Sequence, residues 1–114
     1  MTRSIEKRPY DARLYDIDCS DLLADSETIT GTPVMSSDAA GFSFGAPSIN
    51  TETVTYDKGR TAPAGKVIQV EISGGTLPTG RTELYCLMRA QFETNLSPQL
   101  EATFFILLTD RPRI

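Results

Sequence analysis

The stretch KVIQVEIS, residues 66–73, decides the fold class. Ile68, Val70 and Ile72 alternate with Val67, Gln69 and Glu71, the period of two that a strand with one buried face requires. Gly74-Gly75 breaks the pattern. Downstream, ELYCLMRAQF at 83–92 puts Leu84, Cys86, Met88 and Phe92 on one side and Tyr85 and Leu87 on the other. Periodicity alone leaves that segment as strand or helix. Residues 95–98 carry a turn signal. Residues 99–109 close the chain, with 104–108 apolar on both faces, as expected of a central strand.

Upstream the signals weaken. Residues 13–19, with Leu14, Tyr15 and Ile17, read as a short strand. Residues 27–35 read as an edge or irregular strand, because Gly31 and Pro33 interrupt them. Residues 41–44 form a brief aromatic piece. Residues 49–56 alternate Thr51, Thr53 and Thr55 with Val54 and Tyr56, which predicts a half-exposed strand. Six or seven short strands with turn residues spread between them predict an all-β sandwich.

The chain has 114 residues, the size of one domain. It has no histidine, which excludes Ser-His-Asp, Cys-His and His-metal chemistry together. A net charge of −4 repels phosphate backbones on average, so no nucleic-acid partner is expected. The longest strongly apolar run, 104–108, is far too short to span a bilayer, and the charged first eight residues do not read as a secretory signal. No membrane partner is expected. Cys19 and Cys86 are widely spaced, as in the inter-sheet disulfide of immunoglobulin domains. However, the chain has no tryptophan to pack on a bridge, and Cys19 falls in the first predicted strand region. Two free, mostly buried thiols are expected.

Two stretches imitate ligand sites. Gly75-Thr76-Leu77-Pro78-Thr79-Gly80-Arg81-Thr82 has the spacing of a phosphate-binding loop with arginine at the lysine position. Arginine is forked and is no equivalent there, and a short threonine-rich chain cannot cover a parallel sheet with helices. A polar hairpin loop is expected. Asp16, Asp18, Ser20 and Glu27 stand at the first, third, fifth and twelfth positions of a calcium loop. Asp21 replaces the required glycine and no helix follows, so a solvated acidic turn is expected. Tyr85 is placed to form a structural contact like a tyrosine corner. No serine or cysteine has a base beside it, so no catalytic residue, cofactor or metal is assigned. Arg3, Lys7, Arg8 and Arg13 cluster at one end and Arg111 and Arg113 at the other, as interaction arms would.

The run at 7–29, KRPYDARLYDIDCSDLLADSETI, occurs in order with ISGGT at 72–76, YCL at 85–87 and EATFFIL at 101–107. This pattern resembles the small immunoglobulin-like structural proteins of tailed bacteriophages, many described as fibre–tail adaptor proteins. The resemblance covers about half of the chain. It implies an immunoglobulin-like β-sandwich of about seven antiparallel strands over 9–110, with a flexible charged arm over 1–8 and a tail over 111–114. Within it, Ser73 to Thr76 is a turn between neighbouring strands, and Asp18 with Ser20 caps the chain as it leaves its first strand. It implies a non-enzymatic virion protein, assembled in the host cytoplasm, that joins tail fibres to the tail or neck in several symmetric copies. The expected partners are tail, neck or fibre proteins. The alternatives are a capsid decoration protein, whose partner is the major capsid protein, and a glycan- or surface-binding module using Tyr10, Tyr56 or Phe42. The interface candidates are Arg3, Lys7, Arg8, Tyr10, Phe42, Phe44, Arg111 and Arg113.

Overall fold

The computed structural model describes residues 4–56 and 59–110. These residues form ten strands and one short 3-10 turn. The strands are β1 (Ser4–Lys7), β2 (Ala12–Asp18), β3 (Ile29–Ser37), β4 (Phe42–Phe44), β5 (Ser48–Ile49), β6 (Val54–Thr55), β7 (Thr61–Ala62), β8 (Val67–Gly74), β9 (Glu83–Thr94) and β10 (Leu100–Thr109). The turn spans Ser20–Leu22.

Two four-stranded sheets carry the fold. One runs β1-β10-β9-β3. The other runs β2-β8-β4, with β5 continuing the β4 edge along β8. In immunoglobulin lettering, β2, β8 and β4 are B, E and D, and β3, β9 and β10 are C, F and G. The chain is thus an all-β sandwich with the immunoglobulin strand order. The inward residues of both sheets meet in one core, in which Ile68, Val70, Ile72, Met88, Ile106 and Leu108 are wholly buried. Burying one such side chain contributes about 1.5–3 kcal/mol.

The alternation in 66–73 becomes β8 in the predicted register, and β9 resolves as a strand. Its β-form follows from its partners: β10 and β3 pair on either side and satisfy its backbone. Pro33 and a shift of register between Thr30 and Val34 make β3 an irregular edge, as expected.

Three expectations are corrected. Residues 4–7 are not part of a free arm: they form β1, which pairs in parallel with Phe105–Leu108 of β10 and brings Ile5 against the core. Residues 49–56 are not one strand. The chain leaves β5 at Ile49, turns at Asn50 and returns as the small β6-β7 hairpin. Finally, β8 and β9 belong to different sheets, so residues 75–82 are a crossover between sheets and not a hairpin loop. Gly74 and Gly75, both at positive φ, let this crossover start beside β4. A Cβ on Gly75 would lie 2.9 Å from Leu108 Cδ1, and one on Gly74 would strike the Gly41 carbonyl.

Candidate functional site

The predicted interface residues divide into three groups. Arg3, Arg111 and Arg113 lie outside the described residues. Lys7, Arg8, Phe42 and Phe44 gather at the end of the sandwich where β1 finishes. Tyr10 stands apart.

Lys7 is corrected as an interface residue, because it is fully buried. Its parallel register with Leu108 points it between the sheets. There its ammonium donates to the Arg8 carbonyl at 2.8 Å and to the Gly74 carbonyl at the end of β8. The Phe42 ring lies 5.8 Å from the same nitrogen. Burial lowers the Lys7 pKa, with the Asp11 carboxylate acting in the opposite direction. Arg8 pairs with Glu6 at 3.1 Å. Phe42 and Phe44 are half-buried against the core. This cluster is a clasp between sheets. Tyr10, at the tip of the β1-β2 turn, is 98% exposed.

The imitation ligand sites take structural forms. The Gly75 and Thr76 amides donate to Gly41 and Ala40 carbonyls, at 2.9 and 3.2 Å, and β9 follows where a phosphate loop needs a helix. In the acidic stretch, Asp18 Oδ1 accepts the Ser20 amide at 2.9 Å and the Ser20 hydroxyl at 2.5 Å, the capping turn expected there. Glu27 turns inward and accepts the Ala24 amide at 3.1 Å and the hydroxyls of Ser97 and Thr94. The Thr94 hydroxyl, the Ala24 amide and the Ser97 hydroxyl hold its pKa below the ordinary carboxylate value. Among the described residues no three acidic or cysteine side chains are grouped to hold a metal.

The two cysteines are free and buried. The Cys19 amide bonds to the Lys66 carbonyl just before β8 begins. Cys86 senses the charge of Lys7, which rests on Gly74 at the far end of β8. Nearly the length of β8 lies between them, on the order of 20 Å, so they cannot bridge. Burial pushes the Cys19 thiol up to about 12.

Two surfaces were missed by the sequence reading. On the outer face of the β1-β10-β9-β3 sheet, Tyr85 stands opposite Leu107 and Leu87 opposite Phe105. Tyr85 is 64% exposed and meets Phe105 edge-on, with ring centroids 6.4 Å apart. It therefore makes no tyrosine corner, which corrects that expectation. Arg89 borders this apolar block, clamped to Asp38 by two hydrogen bonds of 2.6 and 2.8 Å. The sequence signal for the block is the apolar run 104–108, in which Phe105 and Leu107 supply the outward half.

The second surface is a cleft of about 260 Å3 between β2 and β10. It lies beside the first half of β10, on the side where β1 begins at Ser4 opposite Phe105. Ile5, Tyr15, Ile17 and Phe104 line it, with Asp18, Asp21, Glu101 and Arg60 also at its walls. Tyr15 is 5% exposed, and its buried hydroxyl has no hydrogen-bond partner among the described residues.

No helix among the described residues is long and apolar enough to cross a membrane. No family model, curated protein or solved structure matches this chain.

Proposed function

We propose that this chain is a non-enzymatic structural protein of a tailed-phage virion, an adaptor that docks tail fibres to the tail or neck. The ordered resemblance along 7–29, 72–76, 85–87 and 101–107 supplies the virion context. The observation that carries the docking role is the outward block of Tyr85, Leu87, Phe105 and Leu107. These residues stand in two register rows on one sheet face. An apolar block on a rigid face, bordered by the charged Arg89–Asp38 clamp, suits association with another protein. The partner is another virion protein, and the symmetry of a tail requires several copies of the chain.

Quantitative mass spectrometry of purified particles tests this reading. A copy number on the order of 6 to 24 fits a symmetric tail or neck ring. Copies in the hundreds would make the chain a capsid decoration protein, and its absence from particles would remove it from the virion.

A further inference from the structure

The outer face that carries Tyr85, Leu87, Phe105 and Leu107 has a rim dominated by one sign of charge. The register places Glu6 of β1 beside Leu107, in the row that ends at Tyr85. Glu83 precedes Tyr85 by two residues on β9, and Glu101 precedes Phe105 by four on β10, so both share the outward parity of the block. Asp38 follows β3 on the remaining side, where it meets Arg89. Carboxylates therefore stand on all four sides of the apolar block. Two guanidiniums share the rim among the described residues, and each is already held by one of these carboxylates. Arg8 pairs with Glu6 at 3.1 Å and Arg89 with Asp38 at 2.6 Å. Beyond Glu83, Arg81 and Asp110 contribute one charge of each sign beside the hydrogen bond from the Asp110 amide to the Thr82 carbonyl. The rim is left acidic, and the whole chain has the same sign, −4 with every residue counted.

We infer that this face docks on a different virion protein, at an apolar patch bordered by lysine and arginine. The apolar centre supplies the burial, and the opposed rims steer the encounter and fix its orientation. A second copy laid on the block would set acidic rim against acidic rim, so the face is built for another chain. A phosphate backbone is repelled by the same carboxylates. The inference rests on the docking role proposed above and gives the chemistry of that partner. A chain absent from particles removes the docking role and this partner together. A chain that docks without regard to its rim charge removes this partner alone.

The test adds the labelled full chain to purified particles assembled without it and measures its binding by co-sedimentation. Saturable binding is expected, weakening as salt rises from about 0.1 M to about 0.5 M. Glu6→Lys combined with Glu101→Lys reverses two rim charges on opposite sides of the block, and should weaken binding by about tenfold or more with an unchanged melting temperature. The control is Asp16→Lys combined with Glu71→Lys, which makes the same change in net charge on the outer face of the other sheet. It should change binding by less than about twofold, because the effect belongs to the rim and is screened over distance. Binding of the rim variant equal to the parent would overturn the inference, and so would an equal loss in the control. Failure of the parent chain to bind would overturn it as well. Sedimentation of the purified chain as a dimer that Tyr85→Glu dissociates would assign the face to a second copy and overturn it equally.

Discussion

The Lys7 ammonium rests on the carbonyl of Gly74, joining the first strand of one sheet to the last residue of β8 in the other. A buried cation usually needs a carboxylate against it. Here two backbone carbonyls and the Phe42 ring surround it, and the Asp11 carboxylate favours its charged form. Lys7→Met keeps the length of the side chain but leaves those carbonyls without a donor, so it should cost about 1–3 kcal/mol, read as a lower urea midpoint. Deleting residues 1–8 removes β1 altogether and should lower stability further. An unchanged midpoint after deletion would mean that β1 contributes nothing to the fold.

The opposite end of the sandwich depends on Asn50. Its Oδ1 accepts the amides of Gly65, Lys66 and Val67 at 3.1, 3.1 and 2.9 Å, and its Nδ2 donates to the Glu52 and Pro63 carbonyls. Three successive amides converge on one oxygen, so the side chain sets where β8 begins. Asn50→Ala takes the side-chain acceptor from the Lys66 and Val67 amides at a buried site, while Gly65 keeps the backbone carbonyl of residue 50, and should cost about 2–4 kcal/mol. Hydrogen exchange at Lys66 and Val67 should accelerate in the variant before exchange in β9 does.

Glu27 gives the fold an acid sensitivity. Its hydrogen bonds to Thr94, Ala24 and Ser97 depress its pKa below the ordinary 4.5. A carboxylate depressed in the folded state contributes stability that is present above its unfolded value and lost as pH falls through its folded one. Glu27→Gln should therefore lower the melting temperature at pH 7, and the gap to the parent chain should close below about pH 4.5. A gap that stays constant from pH 7 to pH 3 would show that the ionised form is not what the site stabilises.

Cys19 and Cys86 should both be silent toward a thiol reagent in the native state and both react in denaturant without reductant. Burial and the raised Cys19 pKa near 12 remove the reactive thiolate. Failure to react in denaturant would reveal a disulfide that the strand geometry forbids.

How much of this was legible depended on whether a residue's neighbours in sequence were also its neighbours in space. In β8, Ile68, Val70 and Ile72 face one core, and alternation alone identified the strand. The immunoglobulin sandwich followed from a resemblance, and the strand order agrees with it. β1 was missed because Glu6 and Lys7 read as solvated charge, and no local pattern announces that Lys7 will find the carbonyl of Gly74, 67 residues away. The run at 49–56 looked like a strand because its threonines alternate, yet Asn50 draws the chain out of the sheet through bonds to residues 13 to 17 positions on. Crossover and hairpin share the same glycine signal at 74–75, and only sheet membership separates them. Of the interface candidates among the described residues, Tyr10 alone stands fully exposed. The apolar block emerged only once the β9-β10 register set Tyr85 beside Leu107.

The docking claim is tested most directly by particle assembly with a Tyr85→Glu/Leu107→Lys chain, supplied in place of the parent chain and first confirmed to be folded by its circular dichroism. Both side chains lie on the outer face, opposite the core residues Cys86 and Ile106. Copies per particle, counted by mass spectrometry, should fall by about tenfold or more, since two apolar anchors are each lost to a charge. Particles that carry the variant at the parent's copy number, with fibres attached, would contradict the account.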